Sequence, residues 1–320
     1  RPGEWVPKWS GIHKKRLSEH SVTGKITDIV FTMKLQPVLL AGGSGTRLWP
    51  ISTPDRPKQF IALSDSRSML GATIARLDGL GAEAAMVLAN QRHRDLVLKE
   101  LDLVGTANCT VMLEPESKNT GPAIALAAMQ LPPEALMLVM PADHVIDDVA
   151  AFQAAVRQAQ PDAQAGVIVL FGVPPTSAHT GYGYIRCGPP DKLAGCKVLA
   201  FHEKPDKQIA TAYLLQGGYY WNSGIFLFKA QTLLEELQTY AGKVHDCCHL
   251  AQTGISSQKA GSHQLLRLPA DCLTDCPAIS IDKAVMEKTD KAVMHTLQTG
   301  WLDIGSWAGL AEYQRTKTAD

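Results

Sequence analysis

Uninterrupted apolar runs of strand length are the feature that most constrains the fold of this chain. They alternate with segments of helical period, and they lie at Leu35–Ala41, Ala85–Ala89, Thr110–Leu113, Leu136–Met140 and Gly166–Gly172. Helices are predicted between them at Met69–Leu80, His93–Val104, Pro122–Met129 and Ala150–Ala159. A strand that lacks apolar–polar alternation is buried on both faces, as in a largely parallel sheet covered by helices. The sequence therefore predicts an α/β, Rossmann-like fold with a mostly parallel mixed sheet flanked by helices.

The pattern changes after about residue 176. Shorter elements follow, with strands predicted at Tyr182–Cys187, Lys197–His202 and Gly224–Phe228 and helices at Lys207–Gln216 and Gln231–Tyr240. Neither an internal repeat nor a low-complexity linker separates the two parts. We therefore expect residues 33–320 to form one domain, in which a second half (176–320) covers the open end of a first half (33–175).

Residues 1–32 differ in character from the rest. They carry six Lys or Arg against three Asp or Glu and show no sustained apolar period, whereas a strand-like run begins just after Met33. The segment is expected to be a basic N-terminal extension outside the fold. The alternative is a targeting or partner-binding arm.

Composition narrows the class of protein. Lys plus Arg and Asp plus Glu both number 31, and aromatic residues make up only 6%, so a nucleic-acid-binding surface is not expected. Apolar residues reach 45%, which excludes general disorder, and no apolar run approaches the roughly 20 residues that span a bilayer. Seven irregularly spaced cysteines do not indicate a disulfide framework. A reducing cytoplasm is the expected location.

A glycine turn directly follows the first predicted strand. Gly42, Gly43 and Gly45 allow the backbone to approach a ligand closely, and successive N–H groups in such a turn form a concave site for anions. Arg47 and Lys58 add positive charge nearby in the sequence. The turn matches neither the dinucleotide-binding G-x-G-x-x-G pattern nor the P-loop, so a Rossmann dehydrogenase is excluded.

The motifs around this turn resemble those of a known family. Gly42–Pro50 (GGSGTRLWP) followed by Pro57–Gln59 (PKQ) is similar to the signature of sugar-nucleotide pyrophosphorylases, and in particular of bacterial mannose-1-phosphate guanylyltransferases. Further blocks match in the family's order, at 114–115, 119–123, 141–144, 181–185, 203–205, 221–226, 280–282, 284–288 and 305–307. The resemblance implies a nucleotidyltransferase domain that converts GTP and mannose 1-phosphate to GDP-mannose and diphosphate with Mg²⁺.

The resemblance also implies roles for individual residues. The implied catalytic set is Arg47, Lys58, Asp143 and Asp303, of which Asp143 and Asp303 would be the metal ligands. The implied nucleotide-binding residues are Leu40, Ala41, Gly42, Gly43, Gly45, Thr46, Asn119, Thr120 and Gly121. The implied sugar-phosphate-binding residues are Gly183, Glu203, Lys204 and Asn222. Because Asp143 follows a buried run, it is expected at the carboxyl end of a strand, where open α/β sheets bind ligands.

Some features depart from the family or leave alternatives open. The family usually has alanine at Gly121, asparagine at Leu302 and an aromatic residue at Lys283. The C-terminal β-helix and isomerase domains of larger members are expected to be absent, so isomerase activity is not expected. Two alternatives remain, a nucleotide-sugar-binding regulatory subunit that has lost catalysis and a sister transferase with another base or sugar. A homo-oligomer is possible.

A cluster of histidines and cysteines at 245–249, with Cys272 and Cys276, raises the question of a zinc site. Its spacing matches no standard structural-zinc pattern. Ordinary packing is the expected role of these side chains.

Overall fold

The computed structural model describes residues 34–43, 48–63, 67–190 and 194–318. The predictions for residues 1–32 and for Gly45, Thr46 and Arg47 fall outside this described part. Its strands are β1 (Leu35–Leu40), β2 (Met86–Asn90), β3 (Thr110–Glu114), β4 (Leu136–Pro141), β5 (His144–Ile146), β6 (Ile168–Val173), β7 (Tyr184–Pro190), β8 (Cys196–His202), β9 (Tyr219–Lys229), β10 (Ser256–Ala260), β11 (His263–Arg267), β12 (Ala292–Thr296) and β13 (Trp301–Asp303). Its α-helices are α1 (Met69–Ala75), α2 (Arg94–Val104), α3 (Thr120–Met129), α4 (Val149–Gln164), α5 (Lys207–Gln216), α6 (Ala230–Tyr240), α7 (Gly242–Ala251) and α8 (Trp307–Thr318).

Eleven of the described strands form one sheet, in the order β10-β11-β3-β2-β1-β4-β9-β6-β12-β8-β7. The pairs β11–β3, β3–β2, β2–β1, β1–β4 and β6–β12 are parallel. The long strand β9 runs antiparallel between β4 and β6, and β8 and β10 also run against the majority. The predicted α/β class is confirmed, and the sheet is more strongly mixed than the term mostly parallel suggests.

The apolar runs are buried on both faces of this sheet, as the lack of alternation predicts. In β1, Leu35 and Leu39 pack into one apolar layer and Val38 into the other. In β4, Leu138 and Val139 divide in the same way, because successive side chains of a strand point to opposite faces. Helix α3 lies in the second layer, and it is buried from Gly121 to Ala128 without a polar face.

Several elements were missed because their sequences carry a weak signal. Strand β10 (SSQKA) is polar and exposed at the edge of the sheet, so it shows no apolar run. Strands β5 and β13 are three residues long and form a separate two-stranded ribbon. Strand β12 and helices α7 and α8 were also not predicted. The β5–β13 ribbon matters most here, since it forms part of the site described below.

The cysteines are for the most part free. One disulfide joins Cys187 of β7 to Cys196 of β8, which differs from the expectation of wholly reduced cysteines, and the other five are thiols. Within the described residues, no group of three or more His, Cys, Asp or Glu side chains could hold a metal ion. In the same part of the chain, no helix is long and apolar enough to cross a membrane.

The start of α3 is packed closely against residues 279–281. Gly121 donates its backbone N–H to the carbonyl oxygen of Ile279 at 3.0 Å, and Thr120 Oγ1 accepts the N–H of Ile281 at 2.9 Å. A Cβ atom on Gly121 would lie 2.7 Å from the Ile279 oxygen. Gly121, where the family usually has alanine, therefore leaves room for the backbone of Ile279 in this chain.

Replacing Gly121 with alanine is expected to destabilise the protein. The methyl group must displace the backbone at Ile279, and overpacking of this kind costs about 1–3 kcal/mol in the free energy of unfolding. The control is Gly242→Ala at the first residue of α7, where a Cβ would meet nothing within 4 Å. Denaturant unfolding of both variants measures the difference. Equal stabilities would contradict the packing argument.

Candidate active site

The candidate site lies beyond the carboxyl ends of β1 and β4. These parallel neighbours end in register at Leu40 and Pro141, so the glycine turn after β1 and Asp143 after β4 emerge side by side. The β5–β13 ribbon adds a second acid to this edge, because its antiparallel register places Asp303 opposite His144. Asp143 and Asp303 are therefore brought together although 160 positions separate them in the sequence.

The ammonium group of Lys58 lies between these two carboxylates. Its Nζ is 3.0 Å from Asp143 Oδ2 and 2.8 Å from Asp303 Oδ1. The lysine side chain is only 4% exposed, whereas the aspartates are 33% and 21% exposed. Burial lowers the pKa of Lys58, but the two carboxylates outweigh it, so the pKa lies above its ordinary value. The site thus holds a charged lysine whose acidic partners remain open to solvent.

Gln59, the next residue, forms hydrogen bonds to the backbone of the glycine turn. Its buried side-chain amide donates to the carbonyl oxygens of Ala41 at 2.7 Å and Gly43 at 3.0 Å. The extended backbone of Pro57 leads into a single 3₁₀ turn at Lys58–Phe60, which directs the two neighbouring side chains to different partners. Gln59 belongs to the Pro57–Gln59 motif, but the motif alone indicates no role for it.

His144 lies beside the acid pair. Its Nδ1 accepts the indole N–H of Trp301 at 3.2 Å, so the other ring nitrogen, Nε2, carries the proton. That nitrogen faces Asp143 and Asp303 at 3.9 and 3.8 Å. Burial is the main cause that lowers the pKa of His144, which keeps the ring neutral. Arg76 donates to the His144 carbonyl oxygen at 3.1 Å and fixes the backbone at this point.

A cavity of about 240 Å³ opens beside the acid pair. Its lining includes five of the residues predicted to bind a nucleotide, together with one of the acids: Leu40, Gly42, Gly43, Asn119, Thr120 and Asp143. Two other predicted residues do not line it. Ala41 is buried below the turn, and Gly121 packs against Ile279. Glu114, which sequence analysis quoted without a role, also lines the cavity.

The residues predicted to bind the sugar phosphate form a second cluster. The backbone N–H of Asn222 donates to the Gly183 carbonyl oxygen at 2.8 Å, and Glu203 pairs with Lys204. A Cβ on Gly183 would lie 2.9 Å from Glu203 Oε2, so this carboxylate approaches the backbone of Gly183 closely. The Lys204 side chain is 61% exposed and therefore accessible to a ligand.

Asp282, for which the sequence alone indicates no role, also belongs to this second cluster. Its Oδ1 accepts the side-chain amide of Asn222 at 2.8 Å, and burial, followed by the nearby Glu203, raises the pKa of Asp282 to about 6. The signal for it was present in the Ser280–Asp282 block. A single sequence does not show that this acid faces Asn222.

Short contacts join the second cluster to the acid pair. Tyr182, next to Gly183, donates its hydroxyl to the carbonyl oxygen of Asp303 at 3.3 Å. A Cβ on Gly224 of β9 would lie 3.3 Å from Pro141 Cγ, so the strand that carries Asn222 packs directly against the end of β4. The acid pair therefore lies between the cavity and the second cluster.

The position of Leu302 in the fold accounts for its apolar side chain. It pairs with Val145 across the β5–β13 ribbon and packs against the small apolar cluster that contains Leu48 and Ile304. Its place beside Asp303 thus contributes to packing of the ribbon.

Comparison with known proteins identifies the family. The profile of the family described as Nucleotidyl transferase matches residues 36–320. The chain belongs to the nucleotidyl transferase family. It is 44% identical over 288 residues to the mannose-1-phosphate guanylyltransferase of Escherichia coli (strain K12), an alignment that covers 87% of this chain and 59% of that protein. The chain therefore spans less than two thirds of the length of this relative.

Two solved structures support the fold of this nucleotidyl transferase. A mannose-6-phosphate isomerase from Helicobacter pylori is 32% identical with a TM-score of 0.76, and the match covers 84% of this chain and 100% of that one. A protein from Thermus thermophilus, named a mannose-1-phosphate geranyltransferase, is 30% identical with a TM-score of 0.72, covering 86% and 77%. Their names describe different activities, so the fold match alone does not select one of them.

Replacing Gln59 with leucine is expected to destabilise this nucleotidyl transferase. The change keeps side-chain volume approximately but leaves the Ala41 and Gly43 carbonyls without their donor, and a buried unsatisfied polar group costs about 1–3 kcal/mol. The matched control is Gln36→Leu, whose amide donates at 2.9 Å to the Ala84 carbonyl in an exposed position that water reaches. Denaturant midpoints compare the two variants. A loss in Gln59→Leu no larger than that in the control would show that the buried bonds of Gln59 add no stability.

Proposed function

We propose that this nucleotidyl transferase is a mannose-1-phosphate guanylyltransferase, which converts GTP and α-D-mannose 1-phosphate to GDP-mannose and diphosphate. The observation that carries this proposal is the position of Lys58, Asp143 and Asp303 between the cavity and the second polar cluster. The named activity of the Escherichia coli relative supports the choice of base and sugar.

The chemistry requires two anionic reactants to meet. The sugar phosphate attacks the α-phosphate of the nucleotide in line, and diphosphate leaves. Two unit charges about 4 Å apart repel by about 4 kcal/mol at an effective dielectric constant near 20, and each reactant carries more than one charge. Cationic groups and amide donors therefore supply most of the catalysis, together with positioning. No general base is needed, because the attacking phosphate is already ionised.

Asp143 and Asp303 are the proposed Mg²⁺ ligands. One ammonium group already reaches both carboxylates, so they are close enough to share a cation, and both are partly exposed. Mg²⁺ in enzymes commonly takes one or two carboxylates and completes its shell with substrate phosphates and water, which fits a pair of acids without a third protein ligand. When bound, the ion would neutralise charge on the phosphates.

The remaining roles are assigned by position. The backbone N–H groups of the turn at Gly42–Gly43 would bind the nucleotide, and Lys58 would bind its α-phosphate. Arg47 would stabilise the departing diphosphate. Lys204 would bind the phosphate of the sugar, and Glu203, Gly183 and Asn222 would bind the sugar hydroxyl groups. The neutral ring of His144 lies beside the acid pair and is not required to move a proton.

Other parts of the proposal concern the whole chain. Residues 33–175 would form the nucleotide half and 176–320 the sugar half, with Asp303 supplied across the boundary to Asp143. Residues 1–32 would lie outside this domain. The proposed context is a cytoplasmic homo-oligomeric enzyme that supplies GDP-mannose for polysaccharide synthesis.

One assay tests the proposed function directly. Release of diphosphate is measured with GTP, ATP, UTP and dTTP, each with mannose 1-phosphate and glucose 1-phosphate. The highest kcat/KM is expected for GTP with mannose 1-phosphate. Another best pair would make the chain a sister transferase, and binding of GDP-mannose without turnover would make it a regulatory subunit.

Removing either acid of the pair is expected to abolish most turnover. Asp143→Asn and Asp303→Asn keep side-chain size but remove a proposed metal ligand, so kcat should fall at least about 100-fold, or about 2.7 kcal/mol. The surface variant Asp95→Asn, whose side chain is 89% exposed, serves as the control. Near-normal turnover at saturating Mg²⁺ in either variant would remove that residue from the proposed metal site.

The two lysines are expected to act on different substrates. Lys204→Met should chiefly raise the KM for mannose 1-phosphate, while Lys58→Met should weaken GTP binding and lower kcat, because charge reorganises at the α-phosphate. Each loss is expected at about 1.5–3 kcal/mol, the range for hydrogen bonds to charged groups. Lys259→Met on the edge strand β10 is the control. A reversed pattern would overturn the proposed orientation of both substrates.

A further inference from the structure

We propose that a cavity between α1 and β5 is an anion site, in which the guanidinium group of Arg76 binds a phosphate group. This α1–β5 cavity has a volume of about 310 Å³, and its walls include Ser68, Ala72 and Arg76 on one side and residues 144–147 on the other. None of the described residues lines both this cavity and the one beside the acid pair. The anion site is therefore separate from the sites proposed for the two substrates.

Arg76 is a buried cation without an acidic partner in the described structure. It caps the C-terminal end of α1 and is only 4% exposed. Burial lowers the pKa of Arg76 to about 10, and no described acid offsets this effect, yet the group stays charged at neutral pH. A charge that is buried without an opposite charge is costly to the fold. An anion in the cavity would supply the missing compensation.

The guanidinium group also has hydrogen-bond donors to spare. It carries five N–H donors, and in the described structure Nη2 donates to the His144 carbonyl oxygen at 3.1 Å. Its Nε is buried and has no hydrogen-bond partner among the described residues. Since nearly all buried polar groups in proteins are hydrogen-bonded, an exception of this kind indicates a partner from outside the chain. The planar fork of a guanidinium group matches two oxygens of a phosphate.

The position of Arg76 is fixed from two sides. Its backbone carbonyl oxygen accepts the side-chain amide of Gln153 in α4 at 3.0 Å, and its side chain donates to His144 in β5. The guanidinium group is thus held in place before any ligand arrives. Such preorganisation lowers the entropic cost of binding.

The other charged groups around the α1–β5 cavity are consistent with an anion. Arg67 also lines it and adds a second positive charge. Glu100 lies nearby, but its Oε2 accepts the hydroxyl group of Ser68 at 2.6 Å. Asp147 is the acid among the described lining residues, and a Cβ on Gly300 would lie 2.9 Å from its Oδ2, so this carboxylate packs against Gly300. Neither acid forms an ion pair with the guanidinium group of Arg76 in the described structure.

The cavity is larger than a single phosphate group. Apolar side chains such as Met69, Val145 and Val149 form part of its wall, and they leave room for a small organic group attached to the phosphate. The ligand is therefore assigned by its phosphate group, which either free phosphate or a phosphorylated metabolite carries.

The test gives Arg76 an acidic partner from its own helix. Ala72 lies one turn before Arg76 and lines the same cavity, and its carbonyl oxygen accepts the Arg76 N–H. In Ala72→Glu the new carboxylate can pair with Arg76 across this turn. Isothermal titration with inorganic phosphate, at constant ionic strength and without substrates, compares this variant with the wild type. The Kd of one phosphate site is expected to rise about 10- to 150-fold, while the melting temperature should not fall.

Arg157→Met is the matched control. Arg157 also donates to a backbone carbonyl oxygen, that of Gly79 at 2.8 Å, but it is exposed, so its loss should leave the phosphate isotherm unchanged. Phosphate that binds at Lys58 or Lys204 is common to all three proteins and does not contribute to the difference. Identical isotherms for the wild type and Ala72→Glu would overturn the inference.

Crystallography of the wild-type protein decides the question without any variant. Tungstate is a tetrahedral dianion that resembles phosphate and scatters X-rays strongly. In crystals grown with tungstate, the ion is expected within hydrogen-bond distance of Arg76 Nε. Tungstate found only at other positions would overturn the inference, even if Ala72→Glu does not fold.

A second titration distinguishes the two sources of the phosphate group. Glycerol 3-phosphate is titrated into the wild type and Ala72→Glu under the same conditions. If the site that Ala72→Glu weakens binds glycerol 3-phosphate more tightly than inorganic phosphate, it is a site for a phosphorylated metabolite. The opposite order assigns it to free phosphate. Neither titration measures turnover, so the result does not depend on the proposed function.

Discussion

The arrangement of the site depends on the buried ammonium group of Lys58. A lysine that stays charged when its side chain is buried needs opposite charges to compensate it. Asp143 and Asp303 provide this compensation from two separate segments, the loop after β4 and the end of β13. The glycine turn, the first half of the sheet and the β5–β13 ribbon are therefore held in one arrangement.

The residue after Lys58 extends this constraint to the glycine turn. Gln59 donates to two carbonyl oxygens of the turn, while Lys58 faces the acids. A short 3₁₀ turn thus positions both the backbone proposed to bind a nucleotide and the acids proposed to bind a metal. A shift of the turn backbone would move the acids. This coupling explains how a loop without much secondary structure can serve as a precise binding surface.

The sequence predicted the sheet better than the site. The runs at β1, β4 and β6 were visible because both faces of each strand are buried, and the α/β class followed from them. The β5–β13 ribbon was not visible, since three-residue strands of intermediate burial carry no period. For Asp282, residue identity was known, but its contact with Asn222 depends on the fold. These are properties of the fold that a single sequence does not contain.

The balance of charge in the described site favours an external cation. The acids Asp143, Asp303 and Glu203 are already paired with only two lysines, Lys58 and Lys204. Burial raises the pKa values of two further acids, to about 6 for Asp282 and about 8 for Glu114, and so reduces their negative charge. Binding a nucleoside triphosphate and a sugar phosphate adds several negative charges to this set. Lysines that already neutralise acids cannot balance all of those charges, so the proposed reaction requires further positive charge, for which Arg47 and a divalent ion bound by Asp143 and Asp303 are proposed.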